Sequence, residues 1–309
     1  MRRIVVTGGA GFIGSHLVER LAAAGKDVVV LDDLSRGRRE WLPPGTKLYE
    51  VDLRDGPALR QALAENPPGT VVHLAAMHYI PSVENAPTLA SEINVSGTRM
   101  LLDALAPDPP KVFVFASTAA VYPDRAGPIA ESCAPAPIDL YGRTKLEGER
   151  LIDKFAVETG TRGIVARIFN VIGTRETNPH VVAEVVEQLR GQAGPVRLGN
   201  LQTRRDYTDV RDVAAALHHL LTEPPDTAGT FNIGSEQSTS VADLVRTAEA
   251  VLGRPVEVEV EHRRVRAQDR AELVADATLL RKTTGWRPTR SLRETLAELL
   301  TAAEGQPLR

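Results

Sequence analysis

Cysteine is almost missing: Cys133 is alone among 309 residues, so no intrachain disulfide can form and no cysteine cluster can hold zinc. An excess of one charge is missing too. With 37 Lys and Arg against 40 Asp and Glu the formal net charge is −3, which excludes the broad basic footprint of a nucleic-acid binder but leaves room for a local positive cleft. No stretch approaches the ~20 consecutive apolar residues that span a bilayer, so no membrane partner is expected. Met1-Arg2-Arg3 runs straight into Ile4-Val5-Val6 and then into glycines, without the long apolar region of a secretory signal, and a cytoplasmic location is expected. Repeats and low-complexity tracts are absent. His16, His218 and His219 lie on helical stretches without carboxylates at ligand spacing, so no metal centre is expected.

What is present is ordinary for a globular chain: 42% hydrophobic and 25% charged residues, enough for one large domain or two closely packed ones. Short apolar runs alternate with amphipathic stretches. Strands are predicted at Ile4–Thr7, Val28–Leu31, Leu48–Val51, Thr70–Leu74, Val112–Ala116 and Gly163–Arg167. Helices are predicted between them at Ser15–Ala24, Gly56–Glu65, Ala90–Ala106 and Tyr141–Thr159. Nearly continuous β-branched strands alternating with helices predict an α/β fold, a doubly wound parallel sheet covered on both faces. After Asn170 the texture changes, with helices predicted at Val181–Arg190, Val241–Leu252 and Ser291–Ala303. Residues 1–168 read as a cofactor-binding domain with a returning segment at about 209–234, and 169–309 mainly as a smaller carboxy-terminal substrate lobe.

The first strand leads into Gly8-Gly9-Ala10-Gly11-Phe12-Ile13-Gly14 and then a helix. Gly8, Gly11 and Gly14 permit a tight turn without β-carbons, so that N–H groups at a helix start can meet a pyrophosphate. The next strand ends in Asp32-Asp33-Leu34-Ser35. An acidic side chain at that place accepts hydrogen bonds from a ribose and repels a 2′-phosphate, which favours NAD over NADP. Arg36 and Arg38 nearby keep NADP open.

Tyr141 and Lys145 stand four apart at a helix start, on one face. A tyrosine titrates near pH 10; an ammonium and a positive nicotinamide beside it would favour the phenolate. Tyr141 is thus a candidate general acid/base and Lys145 its tuner. The fifth strand ends in Ser117-Thr118-Ala119-Ala120-Val121-Tyr122. A hydroxyl there points into the ligand crevice, and Ser117 or Thr118 would serve.

Taken together these residues resemble the extended short-chain dehydrogenase/reductase family, in particular its nucleotide-sugar 4-epimerases. The resemblance runs through Thr7–Gly14, Asp32–Ser35, Val51–Leu53, His73–Ala76, Asn94–Thr98, Ser117–Tyr122, Tyr141–Lys145, Arg167–Asn170, Arg205–Val210, Phe231–Gly234 and Gly285–Pro288. It implies a Rossmann fold and a tightly held NAD. Gly8, Gly11, Phe12, Ile13, Gly14, Asp32, Asp33, Leu34, Ser35, Asp52, Leu53, Leu74, Ala75, Ala76, Asn94, Tyr141 and Lys145 would contact that cofactor. It places the catalytic hydroxyl on Thr118 beside Tyr141 and Lys145, and the nucleotide-diphosphate sugar on His78, Thr118, Asn170, His180, Arg205, Arg266 and Asp269. Relatives often form symmetric dimers through helices corresponding to Asn94–Ala106 and Tyr141–Thr159, so a homodimer is expected.

Dehydratases that resemble this chain carry an acidic pair after the catalytic Thr, whereas Ala119-Ala120 cannot transfer a proton. The implied reaction is inversion at C4 of a UDP-glucose or UDP-galactose type substrate through a 4-keto intermediate. Pro123 replaces a customary Gly, His78 a customary Lys, and the Gly173–His180 loop is short. The segments Leu198–Leu201 and Arg204–Asp212 are similar to GDP-sugar enzymes. These departures keep a 4-keto-sugar reductase or 4,6-dehydratase acting on a GDP- or dTDP-sugar as an alternative. A non-catalytic NAD-binding regulator is a third, remoter one.

Overall fold

In the computed structural model, residues 3–191, 194–222, 228–261, 264 and 270–301 are described. Seven strands form one wholly parallel sheet, in the spatial order Gly229–Ile233, Arg162–Ile168, Val112–Thr118, Pro68–His73, Arg3–Thr7, Val28–Asp32, Lys47–Glu50. All five residues of Val28–Asp32 are buried, as a strand covered on both faces requires. The chain winds outward from Arg3–Thr7 to Lys47–Glu50, returns to Pro68–His73, and winds the other way. That reversal opens a crevice at the carboxyl ends of Arg3–Thr7 and Pro68–His73, where α/β sheets bind ligands. This is the doubly wound α/β fold expected.

Two apolar cores sandwich the sheet. On one face Leu17, Val18 and Leu21 of the first helix pack with Val213, Ala216, Leu217 and Leu220 of helix Val210–Thr222. On the other, Leu59, Leu63, Leu101, Leu105, Ile152 and Phe155 come from three further helices. A third core, including Val185, Leu198, Leu244 and Leu296, fills the smaller lobe. Strand Arg204–Asp209 anchors that lobe, bonded antiparallel to Ser238–Ser240 and parallel to both Glu272–Ala275 and Asn170–Ile172. Among the described residues no helix is long and apolar enough to cross a membrane.

The helix predicted over Ala90–Ala106 is not continuous. It runs as Pro87–Ser91, a π-helical turn Glu92–Gly97, and an α-helix Thr98–Leu105. The wide turn serves Asn94, whose Oδ1 accepts from Met77 N (2.8 Å) and whose Nδ2 donates to Met77 O (2.9 Å) and Thr144 Oγ1 (3.0 Å). Such bulges recur where a helix is locally diverted to a site.

Candidate functional site

The glycine turn is built as its sequence requires. Gly8 has φ +68°, and a β-carbon there would lie 2.6 Å from Ala75 N. A β-carbon on Gly14 would strike Gly8 O, whereas one on Gly11 meets only Gly8 O at 3.3 Å. The helix from Phe12 has no side-chain cap, so its first N–H groups are left without a side-chain acceptor. A cradle closed inward and open outward, ending on bare helical N–H groups, fits a pyrophosphate.

Asp32 does more than the sequence suggests. It is 7% exposed, and its two oxygens accept from Ala10 N and Leu34 N, each at 2.9 Å. It thus ties the glycine turn to the strand end, while each oxygen keeps a second lone pair. Burial raises its pKa, and the two N–H bonds oppose that. Asp33 is exposed and accepts from Ser35 N and Oγ. Leu34 between them takes φ +56°. Asp52 is gripped by Arg54 through both carboxylate oxygens, and Leu53 is buried against Gly97. Leu74 and Ala75 are held to Thr7 by their own N–H groups, which sets the Leu74–Ala76 loop against Gly8. Asn94, expected near the cofactor, has its whole amide engaged by Met77 and Thr144 and positions that loop.

At the fifth strand's end the two hydroxyls part company. Ser117, 3% exposed, donates to Glu149 Oε1 at 2.5 Å and points into the core. Thr118 is half-buried and accepts from Ala120 N. The following helix, Leu140–Thr159, is capped by Asp139, whose Oδ1 accepts from Gly142 N at 2.7 Å. Gly142 packs so closely on Ala120 O that no β-carbon fits, which draws Tyr141 up to Thr118. Arg270 locks this corner. It donates to Asp139 Oδ2 (3.0 Å), Ala120 O (2.9 Å) and Tyr122 O (3.3 Å).

Burial raises the Tyr141 hydroxyl above its ordinary range, Thr118's hydrogen bond lowers it and the Asp139 carboxylate raises it. Lys145 is 3% exposed, with its ammonium 4.5 Å above the Phe115 ring. Burial pulls it down to about 7, against the nearby Glu149 carboxylate. Tyr141 can therefore donate a proton as it stands and can accept one only beside added positive charge.

Asn170 opens a strand in register with Tyr207. Arg205 donates to Arg204 O (2.8 Å) and Arg270 O (2.9 Å). Of the neighbouring carboxylates, Asp206 is bonded to Ser235 and Asp209 to Arg211 and Arg290. Arg266 and Asp269 lie outside the described residues. His78 and His180 stack 6.1 Å apart, and with Glu176 their ligand atoms lie within 4.8 Å. Sequence spacing missed this group because about a hundred residues separate its halves. Its atoms are engaged: Asn178 Nδ2 donates to His78 Nε2, and Glu176 Oε1 accepts from Thr177 N and Asn178 N. Burial takes His78 down to about 4, so it meets a ligand as a neutral imidazole.

Sheet order, crevice and glycine turn define the class: a doubly wound α/β protein of the Rossmann type. Residues 4–234 match the NAD dependent epimerase/dehydratase family, and the chain belongs to it. The UDP-glucose 4-epimerase of Lacticaseibacillus casei is 32% identical over 92% of this chain and 91% of its own. That of Rhizobium meliloti (strain 1021) is 34% identical over 92% of each. Among solved structures, UDP-glucose 4-epimerase of Thermotoga maritima with UDP-glucose superposes with TM-score 0.89 at 31% identity, covering 96% of this chain and 97% of that one. The Thermus thermophilus UDP-glucose 4-epimerase complex with NAD gives 0.87 at 32%, covering 97% and 100%.

Proposed function

We propose that this chain is an NAD-dependent 4-epimerase of nucleotide-diphosphate sugars, of the UDP-glucose/UDP-galactose type. The observation that carries it is the site's polarity at one corner. Tyr141 is hydrogen-bonded to Thr118 and stands one helical turn before buried Lys145, and Thr118 is followed by the buried, inert Ala119 and Ala120. One proton can be moved at one carbon, and no second acid follows Thr118 to expel a neighbouring hydroxyl. Relatives named for the same activity over nine-tenths of the chain support it.

In this mechanism Tyr141 Oη takes the proton of the sugar's C4 hydroxyl and later returns it. Thr118 holds that oxygen in line, and the Lys145 ammonium stabilises the phenolate. Gly8–Gly14 would hold NAD, with Asp32 and Asp33 toward its ribose, and the bound cofactor would supply reversible hydride exchange at C4. The 4-keto sugar turns between the two transfers and so ends inverted. Asn170, Arg205, Arg266 and Asp269 would hold the nucleotide diphosphate, with His78 and His180 toward the sugar. A homodimer through the helices at 98–105 and 140–159 and a cytoplasmic location belong to the same proposal. The test is proton NMR of UDP-glucose, UDP-galactose, their N-acetyl and uronate forms, and GDP-mannose, incubated with protein and no added reductant. Appearance of a C4 epimer is expected. Inertness toward all of them, with NADH or NADPH oxidised once a 4-keto sugar is added, would replace epimerase by reductase.

A further inference from the structure

Beneath Lys145 lies a second charged layer that the proton-transfer scheme does not use. Glu149 follows Lys145 by one helical turn on the same face and is 4% exposed. Arg167, on the adjacent strand, grips it with Nε to Oε1 at 2.9 Å and Nη2 to Oε2 at 2.6 Å. Ser117 adds a third bond to Oε1. Arg167 is itself fixed, its guanidinium 4.8 Å from the Tyr122 ring, while the Tyr122 hydroxyl donates to Asn232 Oδ1. A bidentate ion pair with both partners under 8% exposed has one rigid geometry, so the carboxylate cannot swing away.

The other groups around Lys145 cannot replace it. His73, from the neighbouring strand, is held neutral between Thr7 and Thr98. His78, from the following loop, is neutral as well. Phe115 offers only a ring face. Tyr141 is the group to be ionised, and Asp153 lies a turn beyond Glu149 with its own pKa raised, mainly by burial. Glu149 is thus the carboxylate whose charge reaches the Lys145 ammonium.

We propose that Glu149 is a positioning residue: clamped by Arg167 and Ser117, it keeps the Lys145 ammonium charged and thereby sets the alkaline limit of the proton transfer at Tyr141. The inference rests on the epimerase proposal for its kinetic arm alone.

The experiment is the pH profile of kcat for wild type, Glu149→Gln and the charge-neutral double variant Glu149→Gln/Arg167→Gln. Alongside it, tyrosinate absorbance of NAD-loaded protein is titrated, with a Tyr141→Phe subtraction isolating Tyr141. Loss of a close opposite charge should move the alkaline limb down by about 1 pH unit or more and the Tyr141 titration up. KM should change little. The double variant does not leave the Arg167 guanidinium buried without its carboxylate, so it should recover thermal stability lost in the single one while keeping the displaced limb. A uniform loss of kcat with limb and titration unmoved would overturn the inference, as would a limb restored in the double variant. If wild type shows no turnover, the Tyr141 titration still decides the matter by itself.

Discussion

Replacing Lys145 with methionine should stabilise the isolated protein while removing its activity. Lys145 is 3% exposed, and burial brings its ammonium from 10.5 down to about 7. At ~1.36 kcal/mol per pH unit, that fall is roughly 4 to 5 kcal/mol of folded-state preference for the neutral amine. The sign follows from proton counts. Below pH 7 both folded and unfolded chains carry the charge, and the folded state bears the full penalty. Between about 7 and 10.5 the unfolded chain binds more protons, so stability rises with pH until the penalty is gone. Methionine keeps most of the stem volume and carries no charge. Against this, the variant loses the contact with the Phe115 ring, worth about 0.5–2 kcal/mol. The net expectation is a gain of about 2 to 4 kcal/mol at pH 6, shrinking steadily toward pH 10. Urea unfolding followed by far-UV circular dichroism at pH 6, 7.5 and 9, without added cofactor, measures it, and the NMR assay measures the lost turnover. A variant less stable than wild type at pH 6, or a difference flat across pH, would refute the reasoning.

Gly8→Ala and Gly25→Ala share φ +68°, so each should lose about 1–2 kcal/mol to the left-handed backbone. Only the first meets Ala75 N at 2.6 Å, which should cost about 1–3 kcal/mol more and weaken NAD binding, read by urea unfolding and calorimetry; equal losses would show that the close approach does not matter. Tyr141→Phe should retain NAD while turnover falls by about 10²- to 10⁴-fold, as sugar NMR and a binding titration would show. Ser117→Ala should cost about 1–3 kcal/mol of stability by removing a donor from buried Glu149, whereas Thr118→Ala should lower kcat and leave the melting temperature nearly unchanged. Reversal of that pattern would exchange the roles assigned to the two hydroxyls.

The parts of the fold legible in sequence are those whose signal is local. Val28–Asp32 is buried at every position, so its apolar run, Val28–Leu31, marks its start and its place inside a parallel sheet, and the strand extends one residue further to Asp32. Gly56–Glu65 and Val241–Leu252 end where Asn66 and Gly253 end them. The π-helical turn at Glu92–Gly97 has no such mark, because it is stabilised by what Asn94 meets at Met77 and Thr144. Asp32 was legible as an acid at a strand end, but its grip on Ala10 N crosses twenty-two positions and appears only once the turn is folded beside it.

The site divides along the same line. Tyr141 and Lys145 sit one helical turn apart, a common spacing that suggests proton chemistry only because it follows the fifth strand of a cofactor-binding fold, and Glu149 one turn further could have been noticed by the same rule. Its clamp could not. Arg167 and Ser117 arrive on two neighbouring strands, paired in register with each other, and the Phe115 ring under Lys145 stands two positions before Ser117 on the same strand. The consequence is a separation of tasks. A short motif specifies which atom moves the proton, whereas the sheet beneath it, by fixing one carboxylate against one ammonium, specifies the pH range over which that proton can move.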